Sequence, residues 1–365
     1  MAEAPRKLLL LNLRCDADYP PLAFALDWIE EIAARVDHVH VITNWRGRYS
    51  PPANVTLTSL GAEKNTPNPV RLWRLWRAAA KALADPEVAL VFGHMTPLFS
   101  LLVAPLARLK RRPSVLWYAH GHVPRMLRAA VRAVDLCVTS SEAGFRVDTP
   151  KLRVLSQGVS TRRFAAQREA PRPDEPVVFL NVGRVAPLKR VEICIDAFAK
   201  LPPEDRTRAR LRIIGDPLRE KDRPYHQWLK RRVGELGLDG QVTVEPSAPF
   251  AALPALYGAS HAFVNCAPLH SIDKASLEAM AAGLPALVTN PAYVPAMGEA
   301  MAPLCVESGD PRDLAAAMSR LIRMAPADRR ALGLSLAAEV EARHSLTALV
   351  DRLFGVFGEA LEPRR

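Results

Sequence analysis

Short apolar runs alternate along the chain with longer stretches in which apolar residues return at helical spacing. In the first half the short runs fall at 8–13, 39–43, 55–60, 88–92, 115–119, 136–139 and 154–155, with amphipathic stretches at 22–35, 70–84 and 97–109. Unbroken apolar runs of strand length suit strands covered on both faces. Their alternation with helices therefore predicts a parallel sheet between helical layers. The pattern restarts at V-V-F-L-N-V (177–182), which leads into a helix ending at Lys200, then L-R-I-I-G (211–215) and a helix over 225–236. Strands at 242–244, 262–265 and 286–289 alternate with helices at 251–259 and 274–282, and from Pro311 onward the pattern is helical. Residues 164–176 are polar, proline-rich and aperiodic, as an interdomain linker reads. Two doubly wound, Rossmann-like α/β domains are expected, facing each other across a deep cleft at the carboxyl ends of their strands, where open α/β sheets bind ligands.

A length of 365 residues fits about two domains, and 49% hydrophobic with 24% charged residues fits a packed globular chain. Residues 88–107 contain no Asp, Glu, Lys or Arg, enough to raise the question of a membrane span. His94, Pro97 and Pro105 break the run, and a strand, a turn at Gly93-His94 and a helix from Pro97 account for it instead. The apolar run after the N-terminus is interrupted at Asn12 and ends at Arg14, too short for a signal peptide, and reads as a first buried strand. Cys15, Cys137, Cys194, Cys266 and Cys305 lie far apart with no C-x-x-C, which argues against a disulfide framework or structural zinc and fits a reducing cytoplasm. The net charge of +11 is uneven. Residues 1–170 carry 24 Lys and Arg against 14 Asp and Glu, and residues 171–365 carry 25 against 24.

No G-x-x-x-x-G-K-[ST], G-x-G-x-x-G or G-x-S-x-G occurs, so ATPases, NAD enzymes and serine hydrolases lose ground. In N-V-G-R-V-A-P-L-K-R (181–190) a buried strand runs into a loop bearing Arg184 and Lys189. Two such cations can neutralise a diphosphate, or can be ordinary surface charges. In H-S-I-D-K-A-S-L-E-A-M-A-A-G-L-P-A-L-V-T (270–289), Asp273 can cap a helix ended by Gly283 and Pro285, and its free N-terminal amides form an anion site. Glu278 follows Lys274 at i,i+4 spacing, which an ordinary helix ion pair also explains.

With V-G-R-x-x-x-x-K at 182–189, L-R-I-I-G-D-P at 211–217, L-E-A-M-A-A-G-L-P at 277–285 and Q-G-V ahead of Phe164, the chain resembles the retaining family-four glycosyltransferases of the GT-B fold. These are the bacterial glycosyl transferases group 1 type, and the resemblance covers essentially the whole chain. D-W-I (27–29), G-H-M-T-P (93–97) and W-Y-A-H-G (117–121) are similar to a bacterial subgroup. The resemblance implies an acceptor-side domain at 1–168, a nucleotide-sugar-binding domain at 169–344, and a C-terminal helix at 345–365 packing back toward the first. It places Arg184 and Lys189 on the diphosphate, Glu278 on the ribose, and the amides near Ser276 and Leu277 on phosphate, with Gly183, Gly215 and Lys274 completing the donor site. Two fixed cations and a helix dipole can stabilise the charge developing on a departing nucleoside diphosphate, so no metal or other cofactor is expected. Catalysis would rest on Arg184, Lys189 and His120, and the anomeric configuration would be kept through a same-face displacement.

The sequence departs from the family at specific points. The family pattern E-x7-E puts a first Glu eight residues before Glu278, where this chain has His270. Asp273 and Lys274 replace a Gly-rich stretch, so either takes over a sugar or phosphate contact, or the two only cap and pair the helix. The first β–α turn, R-C-D-A-D-Y-P-P (14–21), lacks the family's glycines, and Ser160 stands where an Asp is usual. On the acceptor side, His120 matches the family histidine, and His94 either lines the acceptor site or packs inside. No third ligand accompanies His120 and His122, so a metal there is not expected. Arg71, Arg74, Arg77 and Lys81 interleave with Trp73 and Trp76, and Arg108, Lys110, Arg111, Arg112, Arg125, Arg128 and Arg132 follow without an intervening acid. Basic residues with tryptophan suggest an anionic membrane surface, against the alternative of core tryptophans and solvated arginines. No nucleic-acid motif accompanies the charge. The sequence thus predicts a cytoplasmic, membrane-peripheral glycosyltransferase of bacterial glycan assembly. Its rivals are a non-catalytic nucleotide- or sugar-binding protein and a phosphorylase on the same fold.

Overall fold

The computed structural model describes residues 5–165, 175–267, 272–306 and 309–362. The chain forms two compact units, Met1–Gln157 with Leu346–Arg365, and Gly158–Ser345. Unit 1 runs β1 (Lys7–Cys15), α1 (Pro20–Ala33), β2 (His38–Arg46), β3 (Val55–Ser59), α2 (Asn68–Leu83), β4 (Val88–His94), α3 (Pro97–Leu109), β5 (Ser114–Trp117), α4 (Arg125–Ala133), β6 (Leu136–Thr139) and β7 (Leu152–Val154). Unit 2 begins with α5 (Thr161–Phe164), β8 (Val177–Val182), α6 (Val191–Ala199), α7 (Pro203–Thr207), β9 (Ala209–Ile214), α8 (Arg223–Glu235) and β10 (Val242–Glu245). It continues through α9 (Leu253–Gly258), β11 (Ala262–Asn265), α10 (Lys274–Ala281), β12 (Ala286–Val288), α11 (Tyr293–Met297), α12 (Pro311–Arg323) and α13 (Pro326–His344). The last helix, α14 (Leu346–Leu361), belongs to unit 1.

Both sheets are parallel throughout, ordered β3-β2-β1-β4-β5-β6-β7 and β10-β9-β8-β11-β12. The run Leu8–Leu11 is buried because the strand has a helical layer on each face. Leu8 and Leu10 pack with α1 and α14, while Leu9 and Leu11 pack with α2 and α3. Leu116 and Cys137 then extend the second layer to α4 through Leu127, Ala130 and Val131. The apolar run at 88–107 divides into β4 and α3, with Pro97 in the first helical turn where a missing N–H costs nothing. Among the described residues no helix is long and apolar enough to cross a membrane.

Three features differ from the sequence expectation. The units divide between Gln157 and Gly158, ahead of the proline-rich stretch, and Phe164 packs edge-on against Phe250 and Tyr257 of unit 2. The expected helix over 251–259 opens as a 3-10 turn, with α9 proper starting at Leu253. Helix α4, not among the helices expected from the sequence, sets Arg125, Arg128 and Arg132 at helical spacing against buried Leu127, Ala130 and Val131.

Candidate functional site

In unit 2 the strand order reverses between β8 and β11, which lie side by side through Ala262–Phe179 and Phe263–Leu180. From β8 the chain moves outward to β9 and β10, and from β11 to β12. At such a switch point the loops leaving the two strands part and make room for a ligand beyond the carboxyl ends of the strands.

The loop after β8 is shaped by glycines. Gly183 has φ +149°, a conformation that side-chain-bearing residues rarely adopt, and a Cβ at Gly215 would lie 1.8 Å from the Gly183 carbonyl oxygen. The ends of β8 and β9 therefore approach too closely for a side chain at 215, and the Val185 N–H donates to the Asp216 carbonyl at 3.1 Å to hold them. Val185 and Ala186 are buried anchors in the loop between β8 and α6, with half-buried Arg184 before them and half-buried Lys189 after them. Among the described residues Arg184 has no hydrogen-bond or ion-pair partner.

Lys189 reaches across the switch point to form an ion pair with Asp273, the residue that opens α10. Asp273 is tied down in several ways. Its side chain accepts from the Ala275 N–H at 3.0 Å, and its own N–H donates to the Tyr293 hydroxyl at 2.8 Å. Burial pushes its carboxyl pKa up, but the Lys189 ammonium, the Ala275 amide and Asn265 outweigh that and hold it below the usual carboxylate value. The acid thus stays ionised beside the lysine at neutral pH.

Within α10, Ser276 is fully buried and accepts from the Asn265 side-chain amide at 3.2 Å. Leu277 is also buried, and its N–H donates to the Asp273 carbonyl at 3.3 Å, so that amide already belongs to the helix's first turn. Glu278 is 7% exposed and accepts from the Tyr257 hydroxyl at 3.2 Å. Burial and the adjacent carboxylate drive the Tyr257 hydroxyl's pKa far up, so it remains a proton donor to Glu278. Gly283 ends the helix at φ +77°, and its carbonyl lies so close to Gly333 of α13 that a Cβ there would sit 2.0 Å away. Lys274 occupies the first turn of α10.

Of the expected donor residues the structure brings Gly183 against Gly215 and Lys189 onto Asp273, the cap of the helix that carries Lys274, Ser276, Leu277 and Glu278, while Arg184 follows Gly183 on the same loop as Lys189. His270 lies outside the described residues. Sequence patterns do not single out Tyr257, Tyr293 or Asn265. Only Asn265, a polar residue closing the apolar strand A-F-V-N, leaves a local signal.

His94 and His120 stand in unit 1. His120 is exposed just beyond β5, and its Nδ1 accepts the His122 N–H at 3.0 Å, which leaves Nε2 to carry the proton of the neutral ring. His94 is 3% exposed, with its ring centroid 4.6 Å from that of Trp28 and with Phe24 and Phe92 around it. Of the two roles open to it, packing is the one its surroundings account for.

Residues 163–333 match the family described as Glycosyl transferases group 1. The chain is 29% identical over 242 residues to D-inositol 3-phosphate glycosyltransferase of Stackebrandtia nassauensis, covering 62% of this chain and 54% of that protein. It is 30% identical over 168 residues to mannosylfructose-phosphate synthase of Agrobacterium fabrum, covering 44% and 37%. The chain thus spans about half the length of the curated relatives it matches. Among solved structures, HepE of Anabaena in complex with UDP and glucose superposes with a TM-score of 0.71 at 18% identity, over 97% of this chain and 99% of that one. Sucrose-phosphate synthase from Thermosynechococcus elongatus gives 0.68 at 19%, over 96% and 98%. Over residues 163–333, all within unit 2, the chain matches the glycosyl transferases group 1 family, and its fold is the two-sheet α/β architecture of GT-B glycosyltransferases.

Proposed function

We propose that the protein is a retaining glycosyltransferase that moves a sugar from a nucleoside-diphosphate donor to a hydroxyl acceptor in bacterial polysaccharide or glycoconjugate synthesis. One observation carries the reading: Lys189, on the loop after β8, meets Asp273, the N-cap of the helix after β11, so a cation and a helix N-terminus converge at the switch point. Arg184 and Lys189 would face the diphosphate and stabilise the charge that develops as its bond to the sugar breaks. Each such contact is worth on the order of 3–4 kcal/mol in the barrier. Glu278, oriented by Tyr257, would accept the ribose hydroxyls. With two cations in that role the step asks for no metal. On the acceptor side His120 is the candidate, and the departing phosphate would help to deprotonate the acceptor hydroxyl on the same face. The fold likeness to a protein crystallised with UDP and with UDP-glucose supports the donor class.

We place the enzyme in the cytoplasm, peripheral to the inner membrane face, with no nucleic-acid partner; the five cysteines are free thiols, Cys194 and Cys266 included although their sulfurs lie 3.3 Å apart, which supports a reducing compartment. The neutralisation of Lys189 by Asp273 favours one rival, a protein that binds nucleotide without turning it over. Incubating the full chain with a panel of nucleotide-sugars separates the two. A transferase releases nucleoside diphosphate from at least one, slowly by hydrolysis when no acceptor is present, whereas binding without release from any of them supports the rival.

A further inference from the structure

Helices α2, α3 and α4 of unit 1 form one layer on the sheet face opposite α1 and α14. The outer surface of that layer is unusual in two independent ways. First, it carries large apolar side chains in the open: Val70, Trp73 (57% exposed) and Trp76 (51%) on α2, Leu98 and Leu109 on α3, and Met126 on α4. Trp73 and Trp76 are as readily core residues on sequence grounds, but Leu75, Ala79, Ala82 and Leu83 fill that role and turn the indoles outward. Trp76 donates its indole N–H to the Leu102 carbonyl at 3.1 Å, so its polar atom is satisfied and its rim is apolar. The Arg77 guanidinium lies 5.2 Å from the Trp73 ring centroid.

Second, the layer is basic without compensation. Residues 68–133 hold 11 Lys and Arg and only two acids, Asp85 and Glu87. Both acids are committed to the start of β1, Lys7 pairing with Asp85 at 2.9 Å and with Glu87 at 2.5 Å. Four of the cations are used inside the unit: Arg71 on Asn44, Arg74 on the Leu60 carbonyl, Arg108 on Ala133 and Arg112 on Pro86. The others are Arg77 and Lys81 on α2, Lys110 and Arg111 after α3, and Arg125, Arg128 and Arg132 on α4. Among the described residues none of these has an ion pair.

We infer that the outer surface of α2, α3 and α4 is a docking face for an anionic lipid bilayer. It gives a place to the membrane contact in the function proposed above, and it rests on that reading for its purpose but not for its geometry. A bilayer surface fits both features at once. Indole rings settle at the headgroup level, where an apolar body and a wet rim are both satisfied, and unpaired Lys and Arg are drawn to anionic headgroups. A nucleic acid answers the charge alone and leaves Val70, Leu109 and Met126 unexplained.

The test uses the full chain with phosphatidylcholine vesicles, with and without phosphatidylglycerol, in a flotation assay at low salt. The native chain should float with the anionic vesicles only, and release as salt rises. Each basic side chain near such a surface adds about fivefold to the partition, so Arg128→Glu with Arg132→Glu should lower it by at least about twentyfold. Trp73→Ser with Trp76→Ser should lower it about tenfold while melting temperature and nucleoside-diphosphate release stay native. Absence of flotation by the native chain overturns the inference, as does undiminished flotation of both variants. Binding to duplex DNA with indifference to vesicles overturns it in favour of a nucleic-acid partner. Flotation as expected from a chain that releases no nucleoside diphosphate upholds the face and removes the transferase reading instead.

Discussion

The two units carry the same strand plan: each begins its sheet in the middle, and in each the order reverses where the first and fourth strands meet. The loops that leave those strands differ. In unit 1 the loop after β1 neutralises itself. Arg14 pairs with Asp16 at 2.6 Å and lies over the Tyr19 and Trp45 rings, Arg48 pairs with Asp18, and a missing side chain at Gly47 makes room for the Asp16 carboxylate. β4 itself ends in His94, buried against Trp28. In unit 2 the matching loops hold Arg184, with no ion pair among the described residues, and Lys189 reaching Asp273, the N-cap of α10. One scaffold yields a closed polar cluster in the first case and a net-positive switch point in the second. The chemistry lives in the loops, not in the sheet.

That contrast can be broken at several strengths. The largest effect is expected from Arg184→Ala or Lys189→Ala, each lowering turnover by about a hundredfold to a thousandfold with melting temperature near native. Steady-state release of nucleoside diphosphate reads it. The corresponding change in unit 1, Asp16→Asn, should leave turnover within about twofold, since the ion pair it removes serves only its own loop. Next is Gly215→Ala, whose new methyl would overlap the Gly183 carbonyl and should cost about 1–3 kcal/mol by denaturant unfolding. Glu278→Gln should weaken nucleoside-diphosphate binding about tenfold in titration calorimetry, through loss of a charged acceptor to the ribose hydroxyls.

The smallest effect concerns pH. Because the Asp273 carboxyl is held below its ordinary value, its pairing with Lys189 stabilises fully above about pH 4 and is lost as pH falls toward the depressed folded value. Native protein should therefore exceed Asp273→Asn by about 1 kcal/mol near neutrality, with the gap closing on acidification. A gap that widens in acid would reverse the sign assigned to this residue.

Strands such as β8 and β11 are legible in the sequence because double-sided burial leaves an unbroken apolar run, and α3 because Pro97 marks its start. Helix α4 is harder to read because its 9 residues fall short of the window of about 11–18 over which a helical stripe stands out, although Leu127, Ala130 and Val131 do alternate with its arginines at helical spacing. The site is legible where it is contiguous. Arg184 and Lys189 share one loop, and Asp273 announces itself as a cap. Its engagement with Lys189, the Tyr257 bond to Glu278 and the Tyr293 bond to Asp273 join residues distant in sequence, and periodicity carries no information about such meetings. The outward turn of Trp73 and Trp76 is equally hidden. A helix stripe shows which residues share a face, but only packing decides which face is covered.

The most direct measurement is titration calorimetry of UDP, GDP and ADP into the native chain and into Arg184→Ala with Lys189→Ala. The account expects the native chain to bind at least one of them and the double variant to bind it at least about a hundredfold more weakly with its melting temperature preserved. Equal affinity in a folded double variant would contradict it, because the pyrophosphate would then be held by something other than the cations at the unit 2 switch point.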